Sequence, residues 1–257
     1  MMNFAGWCKS PAPGQPLWAQ CTSPPKTVEQ INLQLASPTS IVVSFVTFND
    51  PDSTSNPPQV RYVTASADDD EAWRTAHGVT HVYKLARTHE SAGGKQDPAG
   101  AKAYFLHFVR LSGLAERTEY SYSVRSGGSS WSAAANFTSL YSGGETRLAL
   151  FGDMGVYAWN AMGNLLRDGV KKRQFDAIVH MGDHAYNYGD KNGTRNDAYL
   201  QGYSKILSHL PWVPVVGNHE GFDSFHLFFN ETDGENSALD PAPSPHPMTS
   251  LLRTCVF

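Results

Sequence analysis

The sequence predicts two domains in series: an all-β sandwich, then a partial α/β domain on a mostly parallel sheet. Three observations carry this. Up to about residue 139, short runs of β-branched and aromatic residues alternate with polar ones and are separated by turn-rich stretches, the pattern of a sandwich. After residue 146 the rhythm becomes strand, helix, strand, which indicates βαβ units. Three of the later apolar runs stop at a Gly followed by Asp or Asn. In open α/β sheets, ligands bind just beyond the carboxyl ends of the strands.

Residues 1–26 are rich in Pro, Gly and Ser without a period and read as an irregular arm. The sandwich is expected over 27–140. Ile31, Leu33 and Leu35 alternate with polar or small residues, and Ser40 to Phe48 is a continuous β-branched and aromatic run. Further strands are expected at 59–64, 80–85, 103–111, 120–124 and 132–138. Leu111-Ser112-Gly113-Leu114, followed by Tyr120, resembles the tyrosine corner of fibronectin-type and immunoglobulin-type sandwiches. His77, His81, His89 and His107 are scattered and read as surface or packing residues. Asp68-Asp69-Asp70-Glu71 reads as a solvated loop. Tyr141 to Thr146, with Gly143-Gly144, is the expected linker. The α/β domain is expected over 146–236, with helices at 159–173 and 196–210, and a tail of different character over 237–257.

The chain has 257 residues, 40% hydrophobic and 17% charged, with a net charge of −4. That balance fits a globular protein and gives no sign of a nucleic-acid-binding surface. No apolar run reaches the roughly 18 residues of a membrane span. The first ten residues lack the basic and apolar regions of a signal peptide. Of three cysteines, Cys8 and Cys21 could pair, leaving Cys255. Sequons at Asn136, Asn192 and Asn230 are glycosylation candidates if the chain is secreted.

The chemistry is expected at the strand ends. Leu148-Ala149-Leu150-Phe151 runs into Gly152-Asp153-Met154-Gly155, and Ala177 to Met181 runs into Gly182-Asp183-His184-Ala185-Tyr186. Val213 to Val216 runs into Gly217-Asn218-His219-Glu220. Hard cations take oxygen ligands, and a carboxylate between two cations can bridge them. Asp153, Asp183 and Asn218 offer such oxygens. Tyr186 is the most diagnostic. Its phenol, with a pKa near 10, becomes a ligand only against a strongly polarising cation such as Fe³⁺.

These motifs, in this order and spacing, resemble the first three of five signature motifs of purple acid phosphatases. The preceding sandwich is similar to the amino-terminal domain of that family's long-form members. The resemblance implies a dinuclear centre of Fe³⁺ with a divalent partner, Fe²⁺, Zn²⁺ or Mn²⁺. Carried over by motif, Asp153 and Tyr186 bind the ferric ion, Asp183 bridges, Asn218 binds the divalent ion, and His219 lies beside the substrate phosphate. Gly155 stands where many other metallophosphoesterases place a histidine ligand. That argues against a phosphodiesterase or phosphoprotein phosphatase. His184 lies between two motif positions and is not carried over. The implied activity is phosphomonoester hydrolysis, best at acidic pH, in a secreted or lysosomal protein.

The family's last two motifs, Val-x-x-His and Gly-His-x-His, are absent. After His219 only His226 and His246 remain, in other contexts. Three imidazole ligands are therefore expected to be missing, as in a carboxyl-terminally truncated member. The last strand is expected to show an unpaired apolar edge, an aggregation hazard. The alternative reading is a catalytically inactive remnant that binds metal or phosphate weakly, or serves as an interaction module.

Overall fold

The computed structural model describes residues 28–48, 55–66, 73–84, 103–155, 159–186, 193–215, 217 and 219. The sandwich half contains β1 (Glu29–Ser37), β2 (Ser40–Thr47), β3 (Gln59–Thr64), β4 (Arg74–His77), β5 (Val79–Lys84), β6 (Ala103–Leu111), β7 (Glu119–Arg125) and β8 (Ala135–Thr138). The α/β half contains β9 (Leu148–Phe151), α1 (Trp159–Lys171), β10 (Ala177–Met181), α2 (Thr194–Leu207) and β11 (Trp212–Val215). The strand β4 was not foreseen, because Arg-Thr-Ala-His carries no apolar alternation; pairing with β3 makes it a strand. Both helices end about two or three residues earlier than their apolar periodicity does.

One sheet of order β4-β3-β7-β8 packs on part of a seven-stranded sheet of order β5-β6-β2-β1-β11-β10-β9. Leu33, Val43, Phe45, Val60, Tyr62, Val109, Tyr120, Tyr122 and Phe137 form the core between them. The tyrosine corner is present: the Tyr120 hydroxyl accepts the Ala115 backbone N–H at 2.9 Å. All eight residues of β2 are buried. One face meets the sandwich core, and the other meets a second core with Tyr199, Tyr203, Ile206 and Leu207 of α2. Burial on both faces explains why β2 reads as a near-continuous apolar run.

The expected bare edge of β11 is not found. β11 lies between β10 and β1, parallel to both, with Gln34 of β1 opposite Trp212. The reason is that the sandwich sheet continues into the α/β sheet, so β1 supplies the partner the edge needs. Side chains lock this seam. Trp212, fully buried, donates its indole N–H to Asn32 Oδ1 at 3.4 Å. A bulge in β1 puts Gln30 at φ +56°, where its N–H meets Gln201 Oε1 at 3.0 Å and its amide meets Asp197 at 3.2 Å. The Tyr122 hydroxyl donates to the Ser208 carbonyl at 2.7 Å. The α/β half remains partial: on one face of β9 and β10, Leu150 and Met181 are about half exposed. Among the described residues, no helix is long and apolar enough to cross a membrane.

Candidate metal centre

β9 and β10 are parallel neighbours, with Ala149 opposite Ile178 and Phe151 opposite His180. Their carboxyl ends therefore finish side by side. Gly152 is required there: a Cβ at that position would lie 2.7 Å from the Met181 carbonyl oxygen. The next residue donates its N–H across the gap, from Asp153 to the Gly182 carbonyl at 3.1 Å.

Past each glycine the backbone turns left-handed. Asp153 stands at φ +52°, Asp183 at +49° and Tyr186 at +54°. Non-glycine residues adopt this region at a cost, and such strain concentrates at functional sites. Here two of the three side chains, Asp153 and Tyr186, meet directly, and Asp183 joins them through His219. The Tyr186 hydroxyl donates to Asp153 Oδ1 at 3.1 Å. The His219 backbone N–H donates to Asp183 Oδ1 at 3.1 Å. The His219 ring packs on the Tyr186 ring, with centroids 4.8 Å apart. Four of the five side chains singled out in the sequence thus belong to one cluster. Asn218 lies outside the described residues, as do Asn192, Asn230, His226, His246 and the cysteines. Asn136 is exposed on β8.

The oxygens suit a hard cation in part. Two cis ligands about 2.1 Å from an octahedral ion lie about 3 Å apart, close to the Tyr186–Asp153 separation of 3.1 Å. Asp153 is exposed and Asp183 nearly buried, so one carboxylate faces solvent while the other sits deeper. Among the described residues, however, no group of three or more His, Cys, Asp or Glu side chains is placed to hold an ion.

Behind the tips lies a feature the sequence reading missed. His180 and His184 are both fully buried, with ring centroids 4.2 Å apart, and pack against Trp212. His180 accepts or donates a hydrogen bond with the Tyr199 hydroxyl at 2.9 Å. Burial first, then the neighbouring His184, pushes the His180 imidazole down to about 2, so it stays neutral. The spacing of four residues was the available signal. The pair faces the core.

Comparisons place this arrangement. Residues 28–139 match the family described as purple acid phosphatase, N-terminal domain, and residues 146–249 match the calcineurin-like phosphoesterases. The second match runs past residue 236, where the sequence reading placed its boundary. The mouse protein acid phosphatase type 7 (Mus musculus) is 35% identical over 141 residues, which is 52% of this chain and 31% of that protein. The phosphoenolpyruvate phosphatase of Allium cepa is 25% identical over 214 residues, 80% of this chain and 38% of that protein. A purple acid phosphatase from yellow lupin (Lupinus luteus) seeds shares the fold, with TM-score 0.58 and 20% identity over 76% of this chain and 36% of that one.

A β-sandwich leading into a calcineurin-like α/β half with acidic strand tips defines a metallophosphoesterase architecture. Within it, the chain resembles the purple acid phosphatases, whose amino-terminal domain its first half matches. It spans about a third of the length of the curated relatives it matches.

Proposed function

We propose that the chain carries part of a dinuclear acid phosphatase centre for phosphate monoesters. The observation that supports this most is the pairing of Tyr186 with Asp153 across two strand tips, since a phenol beside a carboxylate is a donor set for a ferric ion. Asp153 and Tyr186 would hold Fe³⁺. Asp183 would bridge to a divalent Fe²⁺, Zn²⁺ or Mn²⁺, and Asn218 would complete that side. When bound, the cations supply Lewis-acid charge to the phosphate oxygens and acidity to the attacking water. His219, held against Tyr186, would donate to a phosphate oxygen and stabilise charge as it develops. Its own backbone N–H fixes the orientation of Asp183. Secretory or lysosomal routing belongs to the same reading, with Asn136 as an exposed acceptor for a glycan.

A second reading is an inactive remnant that binds metal or phosphate weakly. The donor set favours it: the described tips bring together two carboxylates, one phenol and one imidazole. Metal content separates the two. Purified chain would be assayed for bound metal and p-nitrophenyl phosphate hydrolysis, beside Asp183→Ala. About two ions per chain, including iron and lost in Asp183→Ala, with turnover that falls in parallel, is the expected result. A folded chain with no bound metal and no turnover would sink the first reading and leave the second.

A further inference from the structure

The outer face of the sandwich carries an alternating stack of cations and indoles. The Arg61 guanidinium lies 4.8 Å from the Trp73 ring centroid and 4.9 Å from that of Trp131. Arg125 lies 4.3 Å from Trp131. The order is Trp73, Arg61, Trp131, Arg125. Arg61 and Arg125 come from paired strands, β3 and β7, with Gln59 opposite Arg125 and Ser123 opposite Arg61. Trp73 precedes β4, and Trp131 lies in the β7–β8 connection. The stack is distant in the chain from the strand tips and does not rest on the phosphatase reading.

A stack of this kind rigidifies arginines with their planar N–H edges held in place. Two further facts show that it is not self-contained. Neither arginine pairs with a carboxylate among the described residues; Arg125 is held instead by the neutral Gln59 Oε1, at 2.7 and 2.9 Å. Beneath the stack, Arg61 Nε and the hydroxyl of Ser123, itself 1% exposed, are buried without a hydrogen-bond partner. Buried polar groups left this way cost stability.

We propose that this stack is a binding site for an acidic polysaccharide. Sulfate or carboxylate groups of the chain would meet the guanidinium edges bidentately, as such groups do with arginine. The sugar rings would lie against Trp73, whose side is 38% exposed, with Thr75 and Gln59 on the same face for ring hydroxyls. A nucleic acid fits less well. Its bases need free aromatic faces, and here Trp131 is flanked by guanidinium groups. An acidic peptide would use the arginines but leave the exposed indole unused.

The test measures binding of the whole chain to dextran sulfate by calorimetry, beside uncharged dextran, poly-L-glutamate and oligothymidylate. Binding to dextran sulfate alone is expected. Arg61→Lys keeps the charge but loses the planar fork, and should weaken binding about tenfold with an unchanged unfolding midpoint. If that variant does not fold, phenylglyoxal labelling of the unaltered chain replaces it: dextran sulfate should protect Arg61 and Arg125 from modification. Equal binding to poly-L-glutamate or oligothymidylate, no loss in Arg61→Lys, or no protection would overturn the proposal.

Discussion

The two halves of this molecule share one sheet but spend their backbone strain differently. Among the described residues, the left-handed non-glycines of the sandwich are Gln30, in the bulge that meets α2, and Arg117, in a turn. Of the four described in the α/β half, three (Asp153, Asp183 and Tyr186) crowd one corner. The sandwich places strain where the halves join. The α/β half places it where oxygen donors converge. The comparison teaches that the sandwich acts as more than an appendage: β1 and Trp212 complete the sheet whose far corner bears the chemistry.

The seam offers the strongest way to break this picture. Trp212 is fully buried in the core that α2 covers, on the strand paired with β1, so Trp212→Ala should destabilise the whole chain by about 3–5 kcal/mol. Urea unfolding followed by far-ultraviolet dichroism would measure it. If the halves are one cooperative unit, a single transition shifts. Two transitions, with only one moving, would show that the shared sheet does not couple them.

Acid should act on both halves, through His180 in the α/β half and His107 in the sandwich. His107 is fully buried between the hydroxyls of Thr47 and Thr80, at 2.9 and 2.8 Å, and burial pushes it down to about 3. Its folded value lies below its unfolded value near 6.5, so the unfolded chain binds the extra proton first. Stability should therefore fall as pH drops below 6.5 and level off near pH 3. The loss from this group is about 2 kcal/mol by pH 5. His107→Gln, which can keep the hydrogen bonds but does not titrate, should remove about half of the slope that the two buried histidines give between pH 7 and 4. An unchanged slope would remove His107 as a cause.

Smaller effects sharpen the contrast. Tyr122→Phe deletes the 2.7 Å, part-buried bond to the Ser208 carbonyl that crosses between the halves. The expected cost is about 1–1.5 kcal/mol, read as a lower denaturant midpoint at constant slope. Asp153→Gly relieves a left-handed aspartate and sacrifices only a partly exposed bond. Its expected effect is a gain of up to about 1 kcal/mol together with loss of any bound iron. Stability lost along with the iron would mean that Asp153 supports the fold rather than straining it.

Much of this was legible beforehand because local chemistry encodes it. Gln59–Thr64, Ala103–Leu111, Leu148–Phe151 and Ala177–Met181 are strands at the residues where their apolar runs begin and end. Tyr120 announced its corner through its distance from Leu114. Arg74–His77 did not, since a strand without an apolar face is made by its neighbour alone. The candidate site was visible as glycine-acid pairs at strand ends, but its left-handed turns were not, because an Asp after Gly fits many loops.

By itself, then, the sequence determined every strand but β4, the two helices, the order of the halves and the residue types at the tips, all set by nearest-neighbour patterning. Only the tertiary structure decided three further things: that β1 covers β11, that Tyr186 meets Asp153 across 33 residues of chain, and that two arginines and two tryptophans stack on one face. Each depends on contacts between segments distant in the chain. Such contacts are selected by the fit of whole surfaces, which no local pattern records.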